Sequence, residues 1–261
     1  MTRRAFTLIE LLVVIAIIGV LIGILVPVLA SARQAAFGSV CLANQSQLMV
    51  AVHQHAADFK GLIPYGPEEN NGGESNGADD FYIVNGMTTS LISTKSGEAC
   101  GAGLLINDYL SDTPEVLFCP GSDQEVRVNE ELARVGTGSA ISGYSYRHGG
   151  NTLTDLLNFR ISGEPLDDHL KIDALGKNGN GNDIRALFVD NNFLLAPGSS
   201  FYDLFHRSNH NQAFVNIAYA DGHAEQRGNN DGRYSADIVG TSLYSAVDKM
   251  LDVFERADLT E

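Results

Sequence analysis

Three groups of residues in this chain have the types and spacing to do chemistry: the cysteines, a late run of histidines and acids, and two oxygen-rich loops. Cys41, Cys100 and Cys119 allow one disulfide and one leftover thiol in an oxidising compartment, and spacing does not choose among the three pairings. Buried free thiols are the alternative. His206, His210, Asp221 and His223 carry donors that zinc accepts, but zinc needs about three or four converging ligands with supporting hydrogen bonds. His206 and His210 stand at helical spacing, yet Asn209, Asn211 and the nearby Gly198-Ser199-Ser200 predict a loop. Hydrogen-bonded histidines and a turn aspartate are therefore the plainer reading. Asn229, Asp231 and Asp237 offer oxygens of the kind calcium gathers about six to eight at a time, without the EF-hand spacing. A solvated polar loop is the alternative there. No nucleophile elbow, His-Glu-x-x-His or phosphate-binding glycine loop occurs, so the sequence does not predict an enzyme.

The remaining candidate is Glu10. From Leu11 to Val26 no residue is charged or strongly polar, and the apolar segment from Phe6 to Ala30 is interrupted only by Thr7 and Glu10. As a helix at about 1.5 Å per residue it spans ~37 Å, enough to cross a hydrocarbon core of ~30 Å. Pro27 is expected to bend it near its outer end. An ordinary signal peptide has a shorter apolar centre, and no composition break follows Val28-Leu29-Ala30-Ser31-Ala32. A simple anchor leaves Glu10 unexplained, because a carboxylate in a membrane helix is costly and marks function by default.

The run Arg3-Arg4-Ala5-Phe6-Thr7-Leu8-Ile9-Glu10-Leu11-Leu12-Val13-Val14-Ile15 resembles the class III signal of type IV pilins and type II secretion pseudopilins. The resemblance implies cleavage between Ala5 and Phe6 by a prepilin peptidase, methylation of the new Phe6 amine, and Glu10 as the family's acid at the fifth mature position. The family usually has Gly where Ala5 stands. A carboxylate at Glu10 would neutralise the Phe6 amine of a neighbouring subunit and set register in a filament. Arg3 and Arg4 would stay cytoplasmic, with the body exported.

The chain is 261 residues long, with 17 basic and 32 acidic residues and a formal net charge of −15. The first forty residues hold Arg3, Arg4 and Arg33 against one acid, Glu10, so the acidic excess belongs to the rest. Such a body is a poor match for nucleic acid, whose phosphates require dense Lys and Arg. Apolar residues at Phe37, Cys41, Leu48, Val52, Ala56 and Phe59 continue the helix along one face to a stop near Lys60-Gly61. Asn70 to Asp80 and Gly176 to Asp183 read as polar, flexible loops. Gly103 to Leu110 predicts a short helix. Val116 to Cys119, Tyr144 to Tyr146 and Ala186 to Val189 predict strands. Phe214 to Ala220 alternates, with Val215, Ile217 and Tyr219 on one face, and Asp221-Gly222 predicts a type I′ hairpin turn. Leu243, Val247, Leu251 and Phe254 predict an amphipathic helix from about Thr241 to Arg256.

The body is similar to a pseudopilin-like subgroup with a Cys and Asn-Gln segment after the stem, a central Cys-Pro, and a late His followed nine residues on by Asp-Gly. The matching positions are Cys41, Asn44, Gln47, Gly61, Pro64, Cys119-Pro120, His210 and Asp221-Gly222-His223. Ten residues separate His210 from Asp221, so Asn211 holds the usual position and a one-residue bulge or a shifted role for His210 is implied. Because Cys41 and Cys119 fall in these motifs, the resemblance favours their pairing over one with Cys100. It also raises calcium at Asn229, Asp231 and Asp237, since major pseudopilins carry such a site in a C-terminal loop.

The expected fold is α+β and pilin-like, a long N-terminal helix against an antiparallel sheet with a C-terminal helix. Residues 1–5 are the leader, 6–30 the transmembrane and polymerisation helix, and 31–261 the exported domain. The expected role is a non-enzymatic filament subunit in an inner membrane, with no certain cofactor. Its partners would be copies of itself, other pseudopilins, an inner-membrane assembly platform and the prepilin peptidase. The alternative is a minor, non-polymerising tethered module that binds glycans or surface ligands.

Overall fold

The structure is a computed structural model, and it describes residues 8–65, 88–94, 96–124, 126–148, 170–195, 206–237 and 243–259. The leader residues Ala5 and Phe6, the loop from Asn70 to Asp80, Gly198-Ser199-Ser200 and Thr241 lie outside the described residues.

Helix α1 runs Leu8–Asp58, 51 residues, through Pro27 without interruption. Its two halves differ in environment. Side chains from Leu8 to Leu29 are exposed all round (Leu12 63%, Leu25 63%), whereas Gly38, Cys41, Gln45, Leu48, Met49, Val52, His55 and Ala56 are buried. Those buried positions recur every three or four residues, the spacing that keeps one helical face on a core. By length and composition α1 is able to cross a membrane. It ends at the expected cation and glycine: Lys60 and Gly61 take φ of 56° and 89°, and the Gly61 amide bonds the Ala56 carbonyl at 2.7 Å. Phe59 departs from the expected buried face. It is 52% exposed and stacks on His55, with ring centroids 4.3 Å apart.

The main sheet has strands β1 (Thr88–Ser93), β2 (Ala140–Arg147), β3 (Ala186–Asp190), β5 (Phe214–Tyr219) and β6 (Ala224–Gly228), in the order β1-β2-β3-β5-β6 and antiparallel throughout. A short parallel pair, β4 (Phe193–Leu194) with β7 (Ala236–Asp237), stands apart. Helix α2 (Val128–Arg134) precedes β2 and ties to it through Glu131, whose carboxylate accepts the Ile141 amide at 3.0 Å. The C-terminal helix α3 spans Leu243–Asp258.

The sheet lies between the two long helices. Leu48, Met49 and Val52 of α1 share a core with Tyr144, Tyr146, Phe188 and Ala218. Val253, Phe254 and Ala257 of α3 share another with Val189, Val215, Ile217 and Tyr219. The alternating apolar stripe of β5 therefore faces α3, and the opposite face, which carries Asn216 and Ala218, looks at α1.

Local readings of the sequence differ from the structure at four places. Val116 to Cys119 is not a strand: a 3-10 helix covers Pro114–Leu117, because Pro114 presets the helical φ and has no amide to leave unbonded at a helix start. The short helix read over Gly103 to Leu110 is a 3-10 helix at Gly101–Leu105 followed by turns. Residues 176–183 form a tied loop, since the Asn178 side-chain oxygen accepts the amides of Asn180 and Asn182 and Lys177 pairs with Asp183. The β5–β6 turn is not type I′. The Gly222 amide bonds the Tyr219 carbonyl, and only Gly222 has a positive φ (91°), so this is a three-residue loop with a glycine bulge.

Candidate functional site

The described residues present two regions with functional character, the exposed half of α1 and a buried polar cluster where α1 meets the sheet. In the first, Glu10 lies in the first turn of α1, on a surface otherwise made of exposed Leu, Ile and Val. Among the described residues, nothing in the body covers this half. Transferring so much apolar helix surface out of water, into lipid or against other helices, is favourable, and a carboxylate within such a helix marks a functional position.

The second region is centred on a disulfide. Cys41 of α1 is bonded to Cys119, which follows the 3-10 helix, with their Cα atoms 5.3 Å apart. Cys100 is free, fully buried in a separate cluster beside Leu91, Ile141 and Ala236, and burial pushes its thiol far up the pH scale, so it is unreactive. His210 lies against the disulfide, its Nε2 3.3 Å from Cys119 Sγ. The same nitrogen is 3.4 Å from Asp190 Oδ2 and 3.4 Å from Asn216 Nδ2. Among the described residues, His210 Nδ1 has no hydrogen-bond partner. Asp190, at the end of β3, accepts the Asn216 amide (2.8 Å), Asn216 Nδ2 (3.0 Å) and Gln45 Nε2 from α1 (3.1 Å). Tyr144 stands nearby. Burial and then the Asp190 charge push its hydroxyl well above the usual range, against a smaller opposing effect from Asn44.

A strained turn holds the imidazole there. His210, Asn211 and Gln212 take positive φ of 56°, 50° and 57°, a left-handed run that costs about 1–2 kcal/mol per ordinary residue. It falls where the spacing to Asp221 is one residue longer than the resemblance leads one to expect. Hydrogen bonds on both sides oppose the strain. The His210 amide bonds the Gly121 carbonyl (2.8 Å), Gln34 of α1 bonds the His210 carbonyl (2.7 Å), and the Asn211 amide bonds Asp123 (2.8 Å). Residue 121 must be glycine, because a Cβ there would fall 2.4 Å from the imidazole Cε1.

The other sequence-derived candidates are dispersed. Asp221 and His223 sit exposed at the hairpin tip, paired to each other at 2.5 Å, and His223 stacks on Tyr219. They do not reach His210's cluster. His206 accepts the Leu195 amide at 3.0 Å. Asn229 is buried, with its oxygen on the Tyr234 amide and its nitrogen on Ser235. Asp231 is exposed and paired with Arg233, and Lys249 donates to the main-chain oxygen of Asp237. Among the described residues, the one grouping of three His, Cys, Asp or Glu ligand atoms is Cys41, Cys119 and His210, not this loop.

Comparison with known proteins bears on the first region. Residues 1–26 match the family described as the prokaryotic N-terminal methylation motif. These residues carry a class III prepilin signal, consistent with the type IV pilin and pseudopilin superfamily. No curated protein and no solved structure matches the chain. The motif supports a pilin-like protein processed by a prepilin peptidase and associated with a membrane, and the one apolar helix long enough to span among the described residues fits a membrane anchor.

Sequence reading passed over Gln45, Asp190, Asn216, Gln34 and Gly121. The available signal was Asn216, a polar residue in the middle of an apolar strand. It reads as an outward, solvated position until a second helix is known to cover the other face.

Proposed function

We propose that this chain is a pseudopilin or pilin-like structural subunit, cleaved between Ala5 and Phe6, methylated on Phe6, and assembled into a filament through the exposed half of α1. The observation that carries the reading is continuity. The methylation motif runs without a break into a helix that is bare from Leu8 to Leu29 and locked into the acidic body from Gly38 onward. Such a part transmits stem packing directly to the body, so its work is mechanical. In the proposal the stem sits in an inner membrane with the body exported. Its partners are other copies, related subunits and their inner-membrane assembly platform.

Two measurements test this. Intact mass and N-terminal sequencing of membrane-purified protein should give a chain starting at methylated Phe6. A start at Met1 or near Ser31 contradicts it. Glu10→Ala should leave insertion unchanged and reduce pelletable polymer by at least about tenfold. Removing one partner of a buried pair costs about 3–5 kcal/mol, and every ~1.4 kcal/mol is tenfold in an equilibrium constant. Wild-type polymer yield from Glu10→Ala would end the filament reading and favour a tethered binding module.

A further inference from the structure

The cluster around the disulfide is organised beyond what a staple needs. A disulfide between a helix and a loop needs two cysteines. Here it is also met by an imidazole nitrogen held by a strained turn, so that the two bonded sulfurs of Cys41 and Cys119 and a ring nitrogen of His210, all buried residues, lie within 4.8 Å of one another. They come from three separate elements: α1, the loop after the 3-10 helix, and the turn before β5. Asp190 lies 3.4 Å from the same nitrogen and brings a buried carboxylate beside the group. On the other side Cys119 lines an open groove with Asn44, Gln47, Phe118 and Pro120, of about 560 Å³, and it is the more exposed cysteine, at 5% against 0% for Cys41.

From this geometry we infer that the dithiol form of the Cys41–Cys119 site, with His210, binds a zinc-class divalent cation. Two thiolates and one imidazole are ligands that such an ion prefers, and breaking the S–S bond frees the two sulfurs to separate and stand about one ion with the imidazole beside them. The open groove offers the entry path. An external dithiol attacks the disulfide from the groove and, through a mixed disulfide, delivers two electrons and two protons, itself becoming a disulfide. The cation then displaces both thiol protons, and the imidazole proton moves from Nε2 to Nδ1, freeing the Nε2 lone pair. The ion takes over the cross-link between stem helix and body that the disulfide makes in the oxidised form.

The test uses the full chain in mild detergent and cobalt(II) as the spectroscopic probe. After anaerobic reduction, the protein should take up one cobalt per chain. Thiolate-to-cobalt charge-transfer bands and intense tetrahedral visible bands should appear, and zinc should bleach both. The oxidised protein should show neither band. Cys100→Ser should behave as wild type, and His210→Gln should weaken cobalt binding by at least about tenfold, the equivalent of ~1.4 kcal/mol. No bands from the reduced chain, whether still folded by circular dichroism or not, overturn the inference. So does equal affinity after unfolding in urea, which would assign the bands to loose thiols. Because oxidised and reduced wild type are compared directly, the result stands even if a variant fails to fold.

Discussion

Asp258→Ala is expected to lower stability by about 3–5 kcal/mol, the range for removing one partner of a buried ion pair. Asp258 and Arg147 are both fully buried, and Arg147 Nη1 bonds the two carboxylate oxygens at 3.1 and 2.9 Å. The carboxylate also accepts the Arg185 and Ala186 amides at 2.8 and 2.9 Å and the Asn178 side chain at 3.0 Å. It is the point at which the end of α3, the start of β3 and the tied loop at 176–183 meet. Arg147 has much less to fall back on. Apart from Asp258 it has, among the described residues, the Phe254 ring, 4.9 Å from its guanidinium carbon, and the Ala186 carbonyl at 3.5 Å, while Nε and Nη2 have no partner there. Burial already pulls its pKa down, and the Asp258 charge opposes that. The two halves of the pair should therefore behave unequally. Asp258→Ala leaves a buried guanidinium unpaired, whereas Arg147→Met leaves a carboxylate that keeps three N–H donors. Urea unfolding of both variants, followed by circular dichroism, checks the order. A smaller loss for Asp258→Ala than for Arg147→Met would contradict it. Limited proteolysis should also find α3 released first in Asp258→Ala, since Val253, Phe254 and Ala257 lose their anchor.

The second large effect is expected from Cys41→Ser with Cys119→Ser. The bond closes a separation of 78 residues, and the chain-entropy relation gives about 4.5 kcal/mol for a loop of that size. Domains have a net stability of about 5–15 kcal/mol, so the double variant should sit close to the limit of folding at body temperature. The loss has a direction in the structure. Cys41 lies one turn past Gly38, where α1 first becomes buried, so without the bond the docked half of the stem is held by the Leu48, Met49 and Val52 packing and by the Gln34, Asn44 and Gln45 hydrogen bonds. Denaturant unfolding of wild type, the double variant and Cys100→Ser measures this. Cys100→Ser should differ little, because that thiol makes no covalent tie and only a long contact to the Leu91 carbonyl, 3.7 Å. A double variant within about 1 kcal/mol of wild type would show that the unfolded chain gains little freedom when the bond is absent.

Much of this architecture is local and could be read from residue order. The long stem, its stop at Lys60-Gly61, the strand at Phe214 and the C-terminal helix each rest on hydrophobic periodicity or a terminating residue, and these act within a few positions. Readings failed where local signals compete. Val116-Leu117-Phe118 has strand-forming residues, but the preceding proline sets a helical turn. Asp221-Gly222 permits two hairpin types, and strand pairing selects the one that leaves Asp221 at an ordinary φ.

What the sequence alone determined is the N-terminal segment. Its apolar run, its acid at Glu10 and its basic start lie within some thirty consecutive residues, so no folding is needed to bring them together. The polar cluster was decided only by tertiary structure. Gln45, Cys41, Cys119, Asp190, His210 and Asn216 are spread across the chain, and the period of a strand states which residues share a face without stating what covers it. Helix α3 covers the apolar face of β5, and the stem covers the polar one. That choice turns Asn216 from a surface residue into a buried partner of Asp190, and places His210 on a disulfide rather than in solvent.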